Sequence, residues 1–276
     1  MARSSSYEVV LDASLFTPAQ MQPVALGRLG FQAGTRWLRD HVASHRTLVA
    51  QHRVGLVLWA WQLEYEKPLR FEDADAVQVD VRARVRGPRS SQLEVEMTVG
   101  GPDSVAVRSR AASVPLRLSG DLALSGASAP LPKDLVDRFH DDEREHSAFR
   151  SRIPALRAAL EREGEHLGSH DSAFRLYRHH CEMADQWYWA ESVGFAGAAR
   201  EEFVMRHGSR APQLRRALAE GVRKVDATWL RAGQLWDVLA VHTEAYLYEG
   251  EVAFVHELGL AEDDGGGPCA IVLERA

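Results

Sequence analysis

Cysteine is scarce in this 276-residue chain: only Cys181 and Cys269 occur, far apart and without CxxC spacing. That excludes a disulfide framework and a zinc site built from paired thiolates, and it makes a reducing compartment the default expectation. Basic charge is not in excess. The formal net charge is −6, so no basic face is offered to nucleic acid or to an anionic membrane. Long apolar runs are missing as well. The longest, VGLVLWAWQL (54–63), is well short of the ~20 residues a membrane helix needs and reads as a buried strand. The opening MARSSSYEVV has no apolar stretch of signal-peptide length, in keeping with a cytoplasmic protein. A glycine-rich phosphate loop, a GxSxG elbow and an HExxH helix are all absent, and no cofactor or metal is implied.

What is present is a core and strongly patterned strands. Hydrophobic residues make up 45% and charged residues 26%, the balance of a globular protein, and the length suits one large domain or two ordinary ones. VQVDVRARVR (77–86) alternates apolar and polar and puts Val77, Val79, Val81, Ala83 and Val85 on one face. QLEVEMTV (92–99) repeats this through Leu93, Val95, Met97 and Val99, and VAVRSRAASVPLRL (105–118) supplies another strand. GPRS (87–90) and GGPD (100–103) are turn chemistry between them. Ahead lie a short strand, YEVVL (7–11), and a helix over about 23–42 that carries Leu26, Leu29, Ala33 and Trp37 at spacings of three and four. The predicted order is strand, helix, then four strands, with connections short enough for antiparallel pairing.

SGDLALSGASAPLPK (119–133) is a loop by composition, and the charge-rich stretch after it reads as a solvated helical connector broken at Pro154. The first order then recurs: a strand at 174–181, a helix over roughly 187–207, and strands at 222–231, 237–248, 251–258 and 269–275. LGFQAGTR (29–36) aligns with VGFAGAAR (193–200), matching Gly30 to Gly194, Phe31 to Phe195 and Arg36 to Arg200; Gln22 then falls on Gln186. Duplication accounts for both the alignment and the repeated element order. The domains read as 1–118, a helical linker 119–171, and 172–276.

At the second strand–helix junction, HHCEMADQWYWAES (179–192) gathers two histidines, a cysteine, Glu182, Asp185 and three bulky aromatics. As an extended strand it places His179 and Cys181 on one face and His180 and Glu182 on the other. A Cys–His nucleophile stays open on this spacing; a metal needs a third ligand, for which His242 and His256 qualify only by type. The bland alternatives are a solvated acid at Glu182, a helix cap at Asp185, and core packing for the aromatics.

A long helix wrapped by an antiparallel sheet, with Gly30, Ala33, Gly194, Ala196 and Gly197 allowing close approach, resembles the hot-dog fold. Two copies resemble the α+β double hot-dog of the plant-type acyl-ACP thioesterases. Around the junction, the run from Glu182 to Trp189 is similar to the 4-hydroxybenzoyl-CoA thioesterase type, with departures: Glu182 replaces an Asp, Asp185 a Gly, and Gln186 stands where His is common. The resemblance implies an acyl thioesterase acting on a CoA or acyl-carrier-protein thioester, of fatty-acid or polyketide metabolism. Glu182 is then base or nucleophile, with Asp185 and Gln186 beside it and helix N-terminal amides as the oxyanion hole. Trp187, Tyr188 and Trp189 would bind the acyl group. In the alignment position 182 falls on Pro18, so only the second copy carries a site, and a homodimer of such units stays open. A hot-dog dehydratase or acyltransferase, and a non-catalytic acyl-binding protein, are the alternatives.

Overall fold

The computed structural model describes residues 3–87, 91–101, 104–119, 126–139, 142–143, 149–182, 185–263 and 266–276. The alternating segment becomes strand β3 (Ala76–Arg86), in which all five inward residues are buried. With it in the first half come β1 (Ser5–Val10), α1 (Pro23–His41), α2 (His45–His52), β2 (Val54–Tyr65), β4 (Gln92–Gly101) and β5 (Ser104–Leu118). The connecting stretch holds β6 (Gly126–Ser128), α3 (Lys133–Val136), β7 (Asp142–Glu143) and α4 (Phe149–Glu163). The second half holds β8 (Glu165–Arg175), α5 (Trp189–His207), α6 (Pro212–Glu220), β9 (Lys224–Trp229), β10 (Val238–Tyr248), β11 (Glu251–Leu260) and β12 (Ala270–Arg275). None of the helices among the described residues is long and apolar enough to cross a membrane.

The result is α+β with one large sheet, ordered β1-β3-β4-β5-β2-β9-β12-β11-β10-β8 and antiparallel along that path. Read inward from either edge the sequence of strands is the same: first, third, fourth, fifth, second. The halves meet where β2 pairs with β9, from Ala60 opposite Thr228 to Glu64 opposite Lys224.

The helices repeat too, but not in the register the residue alignment predicts. α1 and α5 are both 19 residues long and begin at Pro23 and Trp189. The buried residues Leu26, Gly27, Leu29, Ala33, Trp37 and Leu38 correspond to Ser192, Val193, Phe195, Ala199, Phe203 and Val204. The identity-based match of Phe31 to Phe195 is therefore two residues out of step: Phe31 is 41% exposed, whereas Phe195 is buried. Burial periodicity decides, because a helix shifted by two positions turns its apolar stripe away from the sheet.

Two further expectations change. β8 begins at Glu165, inside the stretch read as connector, and ends at Arg175, so most of 174–181 is not strand. β8 is an edge strand paired only with β10, and one exposed face needs no apolar residues. The connector helix is not broken at Pro154, which lies inside α4, nor is it simply solvated. Phe149, Ile153 and Leu160 are buried at helical spacing on the sheet face opposite α5. Val255 faces Leu160 there while its neighbour Phe254 faces Phe203 of α5. α4 also lays Arg152 against Asp226 at 2.6 Å. Asp226 is buried and accepts from Gln62 as well, at 2.9 Å, so one carboxylate joins both halves and the connector.

Beneath α5 lies a second buried charge cluster. Arg200 donates to Glu274 at 2.7 Å, His256 stands 3.4 Å from the same carboxylate, and its other nitrogen is 2.9 Å from the Thr243 hydroxyl. Burial by itself raises the Glu274 carboxyl, but Arg200 and His256 outweigh it and hold it below the ordinary value. A carboxylate lowered in this way stabilises the fold above its unfolded-state pKa and loses that contribution as pH falls through the lower folded value. Glu274→Gln is expected to destabilise the protein by about 3 kcal/mol at neutral pH, through the charge left on Arg200. The difference from the parent should shrink as urea denaturation is repeated at progressively more acid pH.

Candidate functional site

Past Arg175 the chain leaves the sheet. The Leu176 N–H donates to the Asp237 carbonyl at 2.9 Å, and a 3-10 turn spans Arg178–His180. The two-face pattern expected of an extended 179–182 is therefore not formed. The Tyr177 N–H donates to His180 Nδ1 at 3.1 Å, so a neutral His180 carries its proton on Nε2. Burial, with His179 and Arg28, lowers the His180 pKa below that of an ordinary histidine against the opposing pull of Glu191.

A short antiparallel clasp then leads into α5. The Glu182 N–H donates to the Gln186 carbonyl at 2.8 Å, the Tyr188 N–H to the His180 carbonyl at 2.9 Å, and Cys181 bridges to Trp187. Asp185 turns the clasp in the left-handed region, at φ 56°, and ion-pairs with Arg178 at 2.9 Å. It does not cap the helix: the N-cap is Tyr188, which makes no side-chain cap bond. The first-turn N–H groups of α5 are thus left without a capping side chain. Glu182, half-buried, sits opposite Gln186, while His180 sits opposite Tyr188, some two residues or ~7 Å nearer the helix start.

The first half has the same clasp, one residue shorter. There the Thr17 N–H donates to Gln20, the Gln22 N–H donates to Leu15, and Phe16 bridges to Met21. By these bonds Glu182 corresponds to Thr17 rather than Pro18, Gln186 to Gln20 and Trp187 to Met21.

The three aromatics divide. Trp187 is buried, its ring 6.2 Å from Phe195, and belongs to the core. Tyr188 meets Phe31 edge-on at 5.9 Å; burial raises its phenol, which stays protonated. Trp189 crosses into the first half, 6.0 Å from Trp61, and helps to close a cavity of about 90 Å³.

That cavity lies between α1 and the inner faces of β2, β4 and β5, and facing small residues create it. Gly27, Gly30 and Gly34 form the helix wall, and Ser109, Ala111 and Ser113 the wall on β5. In the burial register the second half has Val193, Ala196 and Arg200 at the three glycine positions, and Arg200 there is paired with the buried Glu274. Among the lining residues only His45 titrates; burial lowers its pKa, leaving a neutral ring. The helix α2 that carries His45, at the mouth near Phe31, is too short to stand out in the sequence. A larger open groove, about 540 Å³, lies on the opposite sheet face. Its charged walls include Arg82 and Arg84, both paired with Glu96, and it is open to solvent, so the more enclosed and mostly apolar cavity under α1 is the better ligand site.

The other candidates are occupied elsewhere. Cys181 is held protonated, chiefly by burial and by Asp185, which disfavours a thiolate. His242 bonds Asp171 at 2.7 Å and His256 belongs to the buried cluster.

No protein-family model matches the sequence, and no curated protein matches it. Solved structures do match, over nearly the whole length. A Lactobacillus plantarum protein assigned as an oleoyl thioesterase has a TM-score of 0.72 at 11% identity, covering 99% of this chain and 95% of its own. The 12:0-ACP thioesterase of Umbellularia californica has a TM-score of 0.70 at 10% identity, covering 99% and 93%. An acyl-ACP thioesterase of Bacteroides thetaiotaomicron has a TM-score of 0.65 at 10% identity, covering 98% and 96%. At this identity the likeness establishes the fold, which this chain shares with acyl thioesterases from end to end.

A Cβ on Gly30 would stand 3.6 Å from the Met97 methyl and 3.9 Å from Ser109 Oγ, ordinary contacts, whereas one on Gly34 would come within 3.3 Å of Val95. Gly30→Ala is therefore expected to stabilise the protein by about 0.5–1 kcal/mol through helix propensity while narrowing the cavity. Gly34→Ala should gain less or lose stability, and paired chemical denaturation curves compare the two.

Proposed function

We propose that this chain is an acyl thioesterase built as a double hot-dog, with domains at 1–118 and 172–276 and the linker between. The repeated strand order supports that division, with the second domain's first strand reaching back to Glu165. The substrate is an acyl group carried on CoA or on an acyl carrier protein. One observation carries the reading: Trp189 is both the first residue of α5 and a wall of the cavity under α1, so an acyl pocket and an uncapped helix N-terminus meet at one residue.

With the acyl chain under α1, the thioester carbonyl reaches the start of α5. The first-turn N–H groups would stabilise the oxyanion that forms there. Glu182 takes a proton from water, whose oxygen attacks the carbonyl carbon; the C–S bond breaks, and the proton passes to the leaving thiolate. Direct attack by the Glu182 carboxylate, through an anhydride that water then opens, is the equivalent nucleophilic route. Asp185 and Gln186 hold the clasp that presents Glu182, Asp185 through its Arg178 pair and Gln186 through its carbonyl. Tyr188 and Trp189 flank the path into the pocket, and Trp187 supports them from the core.

The histidine of the same junction has a different role. His180 has its Nδ1 lone pair taken by the Tyr177 N–H and its proton on Nε2, so near the start of α5 it is placed to donate to the thioester carbonyl and not to take a proton from water. Thiol release from a panel of acyl-CoA and acyl-carrier thioesters tests the assignment of Glu182. Glu182→Gln is expected to lower kcat/KM by at least about a hundredfold, the scale of a lost general base. Full retention in that variant removes Glu182 as the base; no thiol release by the parent on any thioester sinks the thioesterase reading.

A further inference from the structure

The cavity under α1 is apolar in most of its lining, yet it contains hydrogen-bonding groups that the protein does not use. Ser109 is 4% exposed, and its oxygen accepts the Trp61 indole N–H at 2.8 Å. Its own O–H has no acceptor among the described residues. Thr35 and Ser113, also on the wall, make no side-chain hydrogen bond to a described residue. The Trp189 indole N–H is buried without an acceptor, and His45 adds a neutral ring at the mouth.

A pocket selected for plain hydrocarbon gains nothing from these groups. Each buried donor left unpaired costs roughly 1–3 kcal/mol, and alanine or valine would fill the same wall without that loss. The Ser109 hydroxyl, whose oxygen faces Gly30 across the cavity, is such a donor, so what it lacks is an acceptor oxygen. We infer that the cavity selects an acyl chain bearing an oxo or hydroxyl oxygen, received by the Ser109 hydroxyl. Its size agrees with a short chain, about 90 Å³ against the ~300–1,000 Å³ of most ligand pockets. The inference rests on the thioesterase reading for the group presented, but not for the recognition itself.

The test compares hexanoyl-CoA with its β-oxo, β-hydroxy and δ-hydroxy counterparts by thiol release. At least one oxygenated thioester should be preferred by about tenfold in kcat/KM, the scale of one well-placed hydrogen bond. That ratio should fall toward one in Ser109→Ala and persist in Ser109→Thr, which keeps the hydroxyl. Equal or lower kcat/KM for every oxygenated thioester, or a ratio that Ser109→Ala leaves intact, overturns the inference. If no thioester is hydrolysed, the thioesterase reading fails by itself. Thermal stabilisation by hexanoate and by its β- and δ-hydroxy acids then decides: greater stabilisation by a hydroxy acid upholds the inference, and equal stabilisation by all three overturns it.

Discussion

The pairing of β2 with β9 is the contact on which the molecule depends. Without it each half would end in an unpaired central strand, and two sheets would replace one. The seam is reinforced by Asp226, where a strand of the second half, Gln62 of the first and Arg152 of the connector converge on one buried carboxylate. Such a group stabilises only while all its partners are present, which ties the position of α4 to the integrity of the seam. The same apposition brings the N-terminal parts of α1 and α5 together, with Gly27 against Trp189 and Arg28 paired with Glu191.

From that apposition comes the division of labour between the halves. The clasp before α1 and the clasp before α5 share a hydrogen-bond pattern, but only the second carries an acid and a histidine. In the first half the space between helix and sheet is open, lined by glycines where the second half has Val193, Ala196 and Arg200. The cavity lies in the first half and the polar clasp in the second, and Trp189 is where they meet. The two halves thus share one set of packing rules, while the interior of one holds an open space and that of the other holds a charge cluster.

Much of the architecture was legible in the chain. The alternation through Val77–Val85, the α1 stripe at Leu26, Leu29, Ala33 and Trp37, and the repeated order of elements reflect how buried faces must be spaced. Edge strand β8 was harder, since its polar, half-exposed sequence EHLGSHDSAFR carries no apolar rhythm. α6 was missed although Pro212 at its first turn and Gly221 just past its end mark it plainly. The helix register went wrong because identical residues, Phe31 and Phe195, outvoted burial. Of the candidate site, the junction 179–192 stood out by composition, but its separation into Trp187 in the core and Trp189 in the cavity did not.

By itself the sequence determined the patterned strands, the two long helices and their repeated order, because periodicity of two or 3.6 residues is written locally. It also determined that a polar cluster precedes the second long helix. Only the tertiary structure decided which small residues face each other across an empty space and which polar groups go unpartnered there. Gly30 and Ser109 are far apart in the chain, and either one in a filled interior would mean nothing; their meaning comes from standing opposite each other under α1. That depends on the approach of helix to sheet, a distance that no single stretch of residues encodes.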